Sequence, residues 1–483
     1  MFVVLPLLLL LLLGSSPSAL AAADEHEEFT VLDLSSLKPH AACSGHRVTP
    51  PNNGSWVPLY HPLGPCSPSY RGAAAAAPSL ADLLRQDRLR AHHIHSKVFG
   101  DFRASKGSYK EPVAVEETQV HHQAAITIEM GTQSTSSQMH GSHSELRIGP
   151  AATGDGTSGP PPVSQTVVLD TASDVPWVDC VPCALAECPY YDPARSSSYA
   201  AFPCNSSACK QLGPYANGCA NNQCQYRVAY SDGSSSSGTY SSDLLTISSG
   251  DTVRNFRFGC NQASSSGGGA TNGFMALGRG AQSLTAQTSS IYGNAFSYCF
   301  PPRESEKGFF RIGVPGGARY RFAMTPMLRD RRAPALYRAL LVAITVNGQP
   351  LNVAPEVFAA GAVLDSRTVI TRLPLTVYGA LRAAFRDKMA AYRRAPPQPE
   401  VALDTCYDFT GVRYVRLPRV ALVFDRNAVV ELDRSGILFG DCLAFTANDD
   451  DSMPAILGNT QQQTIEVLHD VGGGNIGFRR QAC

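Results

Sequence analysis

Neither sign of charge is in excess in this chain: Lys and Arg number 40, Asp and Glu also 40. That balance lacks the electrostatic footprint of a nucleic-acid binder or of a protein drawn to an anionic membrane. Long apolar runs are missing too, apart from Met1 to Leu13, which leads into small residues ending at Ala21-Ala22-Ala23. The run is short for a membrane span and reads as a secretory leader over residues 1–23, although the usual basic start is absent; a membrane anchor is the competing reading. No later segment is long and apolar enough to span. Cysteine, by contrast, is plentiful. The 14 cysteines behind a leader imply disulfides rather than thiols or zinc, whereas Cys180-x2-Cys183 in a cytosolic protein would suggest a metal or redox site. No metal or cofactor is expected. Asn53-Gly54-Ser55 and Asn205-Ser206-Ser207 are glycosylation acceptors if the chain is secreted.

Two short segments read like copies of each other: Val167-Val168-Leu169-Asp170-Thr171-Ala172-Ser173-Asp174 and Ala362-Val363-Leu364-Asp365-Ser366-Arg367-Thr368-Val369. Each runs an apolar strand into an Asp, followed by a hydroxyl residue, a variable residue and another hydroxyl. One such string is weak evidence, because Asp-Thr and Asp-Ser also cap turns. A repeated Asp on a repeated scaffold brings two carboxylates together, and like charges that close cannot both ionise. One stays protonated while the other is a base, which suffices to activate a water against a peptide carbonyl. Around these segments stand Trp177, Tyr230-Ser231-Asp232-Gly233-Ser234, Phe258-Gly259-Cys260, Phe296-Ser297-Tyr298-Cys299, Ile456-Leu457-Gly458-Asn459 and Gly477-Phe478. With them, residues 163 to 483 resemble the plant nepenthesin-like, pepsin-type aspartic proteases.

Residues 24–120 read as a pro-segment. Its one persuasive helix runs from Ser79 to Val98, with Ser79 and Asp82 as a cap and Leu80, Leu83, Leu84, Leu89 and Ile94 at roughly helical spacing. Arg85, Arg88, Arg90, His92, His93, His95 and Lys97 make a basic face, which is either solvated or paired with acidic groups of the remaining chain. Residues 121–162 form a lead-in whose Thr132 to Pro162 stretch, rich in Ser, Gly, Thr and Pro, reads as a flexible loop. From Val163 short apolar runs alternate with Gly, Ser and Asn, as in Tyr226 to Tyr230, Val253 to Phe258, Leu340 to Ile344 and Val420 to Phe424. Thr376 to Arg394 is the clearest later helix. Two β-rich lobes are expected, 163–328 and 336–483.

The resemblance implies a mainly β, bilobal pepsin-like fold, with two β-barrel-like lobes related by a pseudo-two-fold axis and a cleft between them. It implies a monomeric, secreted endopeptidase, extracellular or vacuolar, acting on polypeptides at acid pH. Asp170 and Asp365 match the catalytic pair, and Thr171 and Ser366 the hydroxyls bonded across the axis. Ser173 and Thr368 match hydroxyls that contact the carboxylates. Tyr230 matches the flap tyrosine, with Trp177 as its partner. The implied disulfides are Cys180–Cys183, Cys188–Cys260, Cys204–Cys224, Cys209–Cys219, Cys299–Cys483 and Cys406–Cys442. The chain also departs from the family. Ala172 and Arg367 stand where the family has Gly after each Asp-Thr/Ser pair. Phe274-Met275-Ala276 replaces an apolar-apolar-Gly closure that the second lobe keeps. The apolar strand usually found just before the first Asp has its nearest candidate upstream, at Ala124 to Met130. Arg367 near the pair would favour ionised carboxylate and oppose a shared proton; alternatively it points to solvent. The rival reading is therefore a non-catalytic member that binds a protein partner, like the plant xylanase inhibitors.

Overall fold

A computed structural model describes residues 29–37, 42–46, 55–68, 70, 80–99, 124–130, 163–182, 190–230, 235–248, 251–262, 271–314, 321–329, 331–396 and 403–483. The expected leader, the Thr132 to Pro162 loop, Ser79, Asn53 and Ser231 to Ser234 lie outside the described residues.

The two lobes repeat one strand pattern. In the first, Val163–Asp170 lies parallel to Gly273–Ala276, which runs antiparallel to Trp177–Asp179, itself parallel to the end of Asp251–Asn261. In the second, Ala362–Leu364 lies parallel to Ala455–Leu457, which runs antiparallel to Thr371–Leu373, itself parallel to Phe445–Ala447. The stretches that lead into the two Asp residues, Val167-Val168-Leu169 and Ala362-Val363-Leu364, are buried on both faces, so they are unbroken apolar runs rather than alternating ones. Ala125–Met130 pairs antiparallel with residues 163–168 of the first Asp strand, which makes the upstream candidate its neighbour.

A further sheet joins the lobes: Ala295–Cys299 lies between Glu306–Ile312 and Glu466–Asp470, and Asn475–Arg479 follows. The N-terminal segment adds to this sheet and places another strand in a separate two-stranded sheet. Trp56–Leu59 pairs with Glu306–Ile312, and Phe29–Asp33 with Tyr414–Pro418. Gly259 is required by packing, because a Cβ there would lie 2.1 Å from the buried Tyr226 ring. Gly458 is required in the second lobe, where a Cβ would meet Val369 O at 2.7 Å. At the equivalent place in the first lobe, Ala276 is fully buried opposite Asp170, so the added methyl is accommodated.

Three expectations need correction. The helix expected over Thr376 to Arg394 spans Leu375–Lys388; the chain leaves it because Arg393 to Ala395 pair with Cys406 to Asp408 instead. Cys180 bonds to Cys260, not Cys183, because Cys180 N–H bonds to Asn261 O and brings the two Cα atoms within 5.5 Å. Cys183 and Cys188 lie outside the described residues. In the small insertion from Cys204 to Cys224 the pairs are Cys204–Cys219 and Cys209–Cys224, the reverse of the implied pairing; Cys209, on the Ser207–Gln211 helix, has its Cα 5.7 Å from that of Cys224, leaving Cys219 to Cys204. Cys299–Cys483 and Cys406–Cys442 are as expected, and Cys43–Cys66 closes a loop in the N-terminal segment. Among the described residues, no helix is long and apolar enough to cross a membrane.

Candidate active site

The chain turns sharply after each Asp, and the two turns interlock. Ser366 Oγ donates to Leu169 O at 2.8 Å, and Thr171 Oγ1 donates to Leu364 O at 3.3 Å. Each hydroxyl also accepts the other turn's N–H: Thr171 N to Ser366 Oγ at 3.1 Å, and Ser366 N to Thr171 Oγ1 at 3.0 Å. Such a buried, fully satisfied network fixes both turns against each other. Asp170 and Asp365 are thereby held at the junction of the lobes, 1% and 0% exposed. Thr368 donates to Asp365 Oδ2 through its N–H at 2.8 Å and its hydroxyl at 2.7 Å. Ala172 N–H donates to Asp170 Oδ1 at 2.9 Å. Ser173 does not play the matching part: it is buried, but among the described residues its hydroxyl makes no bond to Asp170, whose oxygens are taken by the Ala172 N–H and two arginines.

One of those arginines is Arg90, from the Leu80–Phe99 helix lying in the cleft. Its Nη2 donates to Asp170 Oδ1 at 2.7 Å and to Asp365 Oδ1 at 2.6 Å, and its Nε donates to Asp365 Oδ2 at 2.6 Å. A single nitrogen thus bridges the two carboxylates. The other is Arg367, whose Nη1 donates to Asp170 Oδ2 at 3.0 Å. Its guanidinium carbon lies 4.4 Å from the Phe274 ring centre and 5.4 Å from that of Tyr230, within cation–π range. Arg367 therefore points at the pair and not to solvent. Trp177 Nε1–H donates to Tyr230 Oη at 2.6 Å, which brings those two expected partners together. Burial alone would push the Asp170 carboxyl up, but the charges of Arg90 and Arg367 outweigh it and hold the group well below the usual carboxylate range.

The helix is docked along its length. Leu83 and Leu84 pack with Val369, Ile370, Leu403 and Ala444. Ala91, Ile94 and Val98 pack with Ala172, Val363 and Ile456, so the methyl that replaces the family's first Gly is a helix contact. Asp87 accepts from the N–H groups of Val369 and Ile370, and Lys97 Nζ donates to Ala172 O at 3.2 Å. Sequence reasoning named Arg90 only as one of a basic face and did not name Asp87. A signal existed: both sit on the stripe of Leu83, Leu84, Ile94 and Val98, where a purely packing helix carries apolar residues. Among the described residues, no cluster of His, Cys, Asp and Glu is placed to hold a metal ion.

The sequence matches the family described as xylanase inhibitor N-terminal over residues 156–314 and xylanase inhibitor C-terminal over residues 336–480. An aspartyl protease family protein of Arabidopsis thaliana is 33% identical over 484 residues, covering 96% of this chain and 94% of that protein. The aspartic proteinase nepenthesin-2 of Nepenthes gracilis is 31% identical over 353 residues, covering 67% of this chain and 76% of its own. Among solved structures, that of edgp has a TM-score of 0.58 at 17% identity, covering 76% of this chain and 93% of that one, a likeness of fold. Similarity at this level, along almost the whole of the Arabidopsis relative, places the chain in the pepsin-like family of plant aspartyl proteases that includes nepenthesin.

Proposed function

We propose that this chain is the latent precursor of a secreted aspartic endopeptidase that hydrolyses peptide bonds at acid pH. The observation that carries the reading is the Arg90 nitrogen bonded to Asp170 and Asp365 at once. It stands where a water would lie between the two carboxylates. With the helix gone, two carboxyls this close share one proton, as in aspartic proteases generally. The ionised carboxylate takes a proton from the water as its oxygen attacks the scissile carbonyl carbon. The protonated carboxyl donates a hydrogen bond to the carbonyl oxygen, and the proton taken from water passes to the leaving amine. Thr171 and Ser366 keep the two carboxylates in register, Thr368 supports Asp365, and Tyr230, steadied by Trp177, closes over the bound peptide. Residues 24–120 are the pro-segment in this reading, and the disulfides fit an oxidising compartment, extracellular or vacuolar.

Arg367 supports a second reading. Its bond to Asp170 does not depend on the helix, and a permanent cation there opposes the shared proton. On that ground the chain is a catalytically weak member that binds a protein partner in the cleft, as the xylanase-inhibitor name of its matching family suggests. The deciding experiment is digestion of haemoglobin at acid pH by the acid-treated full-length protein, with and without pepstatin. Pepstatin-sensitive cleavage supports the protease, and its absence supports the binder.

A further inference from the structure

Among the described residues, one carboxylate of the cleft helix pairs with no cation at close range and yet is buried. Asp87 is 4% exposed. Its Oδ1 accepts from the Val369 N–H at 2.7 Å and its Oδ2 from the Ile370 N–H at 2.9 Å. Two successive backbone N–H groups, each aimed at one oxygen of a carboxylate, make a bidentate anion receptor. The receptor belongs to the cleft rather than to the helix, because it lies on the segment just after Asp365. Leu403, Ala444 and the Cys406–Cys442 disulfide pack around it and exclude water. Two charges act on it from the second lobe: Arg372 attracts the carboxylate and Asp365 repels it. The charge of Arg88, on the helix, opposes that of Arg372. Arg372 is 8% exposed, and its Nε–H has no acceptor among the described residues.

An apolar residue at position 87 would dock the helix without desolvating a charge. Burial pushes the Asp87 carboxyl up to about 6 even against both N–H bonds and Arg372, so the helix carries a cost at this point. That cost is intelligible if the N–H pair is a feature of the cleft that the helix must satisfy. Among the described residues, neither N–H has another acceptor once the helix leaves. An open cleft then presents two unfilled donors beside a guanidinium, and orphaned donors of this kind are costly to leave dry.

We propose that the Val369 and Ile370 N–H groups, backed by Arg372, form a carboxylate-selective subsite of the cleft, which Asp87 fills in the precursor in place of a Glu or Asp side chain of a peptide ligand. The inference rests on the cleft being a peptide-binding site, but not on catalysis. The test uses the full-length chain carrying Asp87→Ala and Arg90→Ala, which remove the helix's two polar anchors in the cleft, and Asp170→Asn, which stops turnover. Extended peptides of one sequence, with Glu placed at each position in turn and matched by Gln, are compared by fluorescence anisotropy at about pH 5.5. At one position Glu binds about tenfold tighter than Gln, because two carboxyl oxygens take both N–H groups, as those of Asp87 do, whereas an amide offers one acceptor. The gap persists or widens as pH falls through about 6 toward 4, because a carboxyl seated there, like that of Asp87, takes up a proton on binding. It shrinks in Arg372→Gln and is largely kept in Arg372→Lys. Equal binding of Glu and Gln at every position shows that the niche takes an ordinary peptide carbonyl and overturns the proposal, as does the absence of binding by every peptide. Turnover of the same peptides by the acid-treated chain without substitutions reports on the protease reading separately. Glu-selective binding without cleavage removes the enzyme and leaves the subsite.

Discussion

Replacing His93 and His95 together by Gln should remove most of the pH dependence of helix docking. Both rings are pushed down to about 4 in the docked helix, by burial first; Lys97 and Arg90 also act against a charged His93, and Arg372 and His92 against a charged His95. Asp170 and Asp365 favour the charge on His93, and Asp449 and the Pro454 carbonyl favour it on His95, too weakly to prevail. A free ring has its ordinary value near 6.5. The docked rings refuse a proton that the undocked helix accepts, so their support for docking is full above about pH 6.5 and is lost as pH falls toward 4. The difference between about 4 and 6.5 corresponds to about 3 kcal/mol per ring at most, less for the partly exposed His93. Asp87 works the other way. Raised to about 6 from 3.8, it takes up a proton when docked and strengthens docking by about 3 kcal/mol over that window as pH falls. Two rings against one carboxyl leave a net weakening of about 3 kcal/mol between pH 6.5 and 4, and Asp170, held lower while Arg90 is docked, adds to it as the open pair takes up its shared proton. The assay is hydrogen exchange of the amides in residues 80–99 of the full-length chain, corrected for intrinsic rates. In the chain without substitutions, protection falls by at least about a hundredfold over that range. In His93→Gln/His95→Gln, which keeps hydrogen-bonding groups at both positions, the gain at Asp87 opposes the loss at the carboxylate pair and protection falls far less than in the parent chain. Equal losses in both proteins, or protection independent of pH in the parent chain, would refute the reasoning.

Three further outcomes follow. Arg90→Ala removes the cation shared by the two carboxylates, so the helix should lose its exchange protection at neutral pH as well, as leaving buried charges uncompensated costs about 3–5 kcal/mol. In an active enzyme, Arg367→Gly should raise turnover and move the acidic limb of the rate profile upward, because the Asp170 carboxyl is no longer held down by that cation. Ala172→Gly should help less, and an unchanged rate and profile in Arg367→Gly would show that the ion pair does not persist in the open cleft. Gly259→Ala forces a methyl against the Tyr226 ring and should destabilise the chain by about 1–3 kcal/mol, read as a lower thermal midpoint with unaltered chemistry at the cleft.

The site was legible where chemistry repeats. Two Asp segments and their hydroxyls stand out because both lobes need the same turn, and the Thr171–Ser366 interlock follows from that symmetry. What was not legible depends on contacts distant in sequence. The cysteine pairs of the small insertion differ by which of two near neighbours faces which, and spacing alone cannot decide that. Ser173 and Thr368 occupy equivalent places, yet only Thr368 reaches its carboxylate, since the Asp170 oxygens are already taken by Ala172 N–H, Arg90 and Arg367. Arg90 was hidden among other basic residues of its helix. Its phase, on the apolar stripe with Asp87, separates it from the solvated ones.

The central claim, that Asp170 and Asp365 act together on one water, is tested most directly by kcat/KM of Asp170→Asn and of Asp365→Asn after acid release, on a peptide that the unsubstituted protein cleaves. Each variant should lose at least about a thousandfold, with its circular dichroism spectrum unchanged. Turnover near that of the unsubstituted protein in either variant would contradict the account.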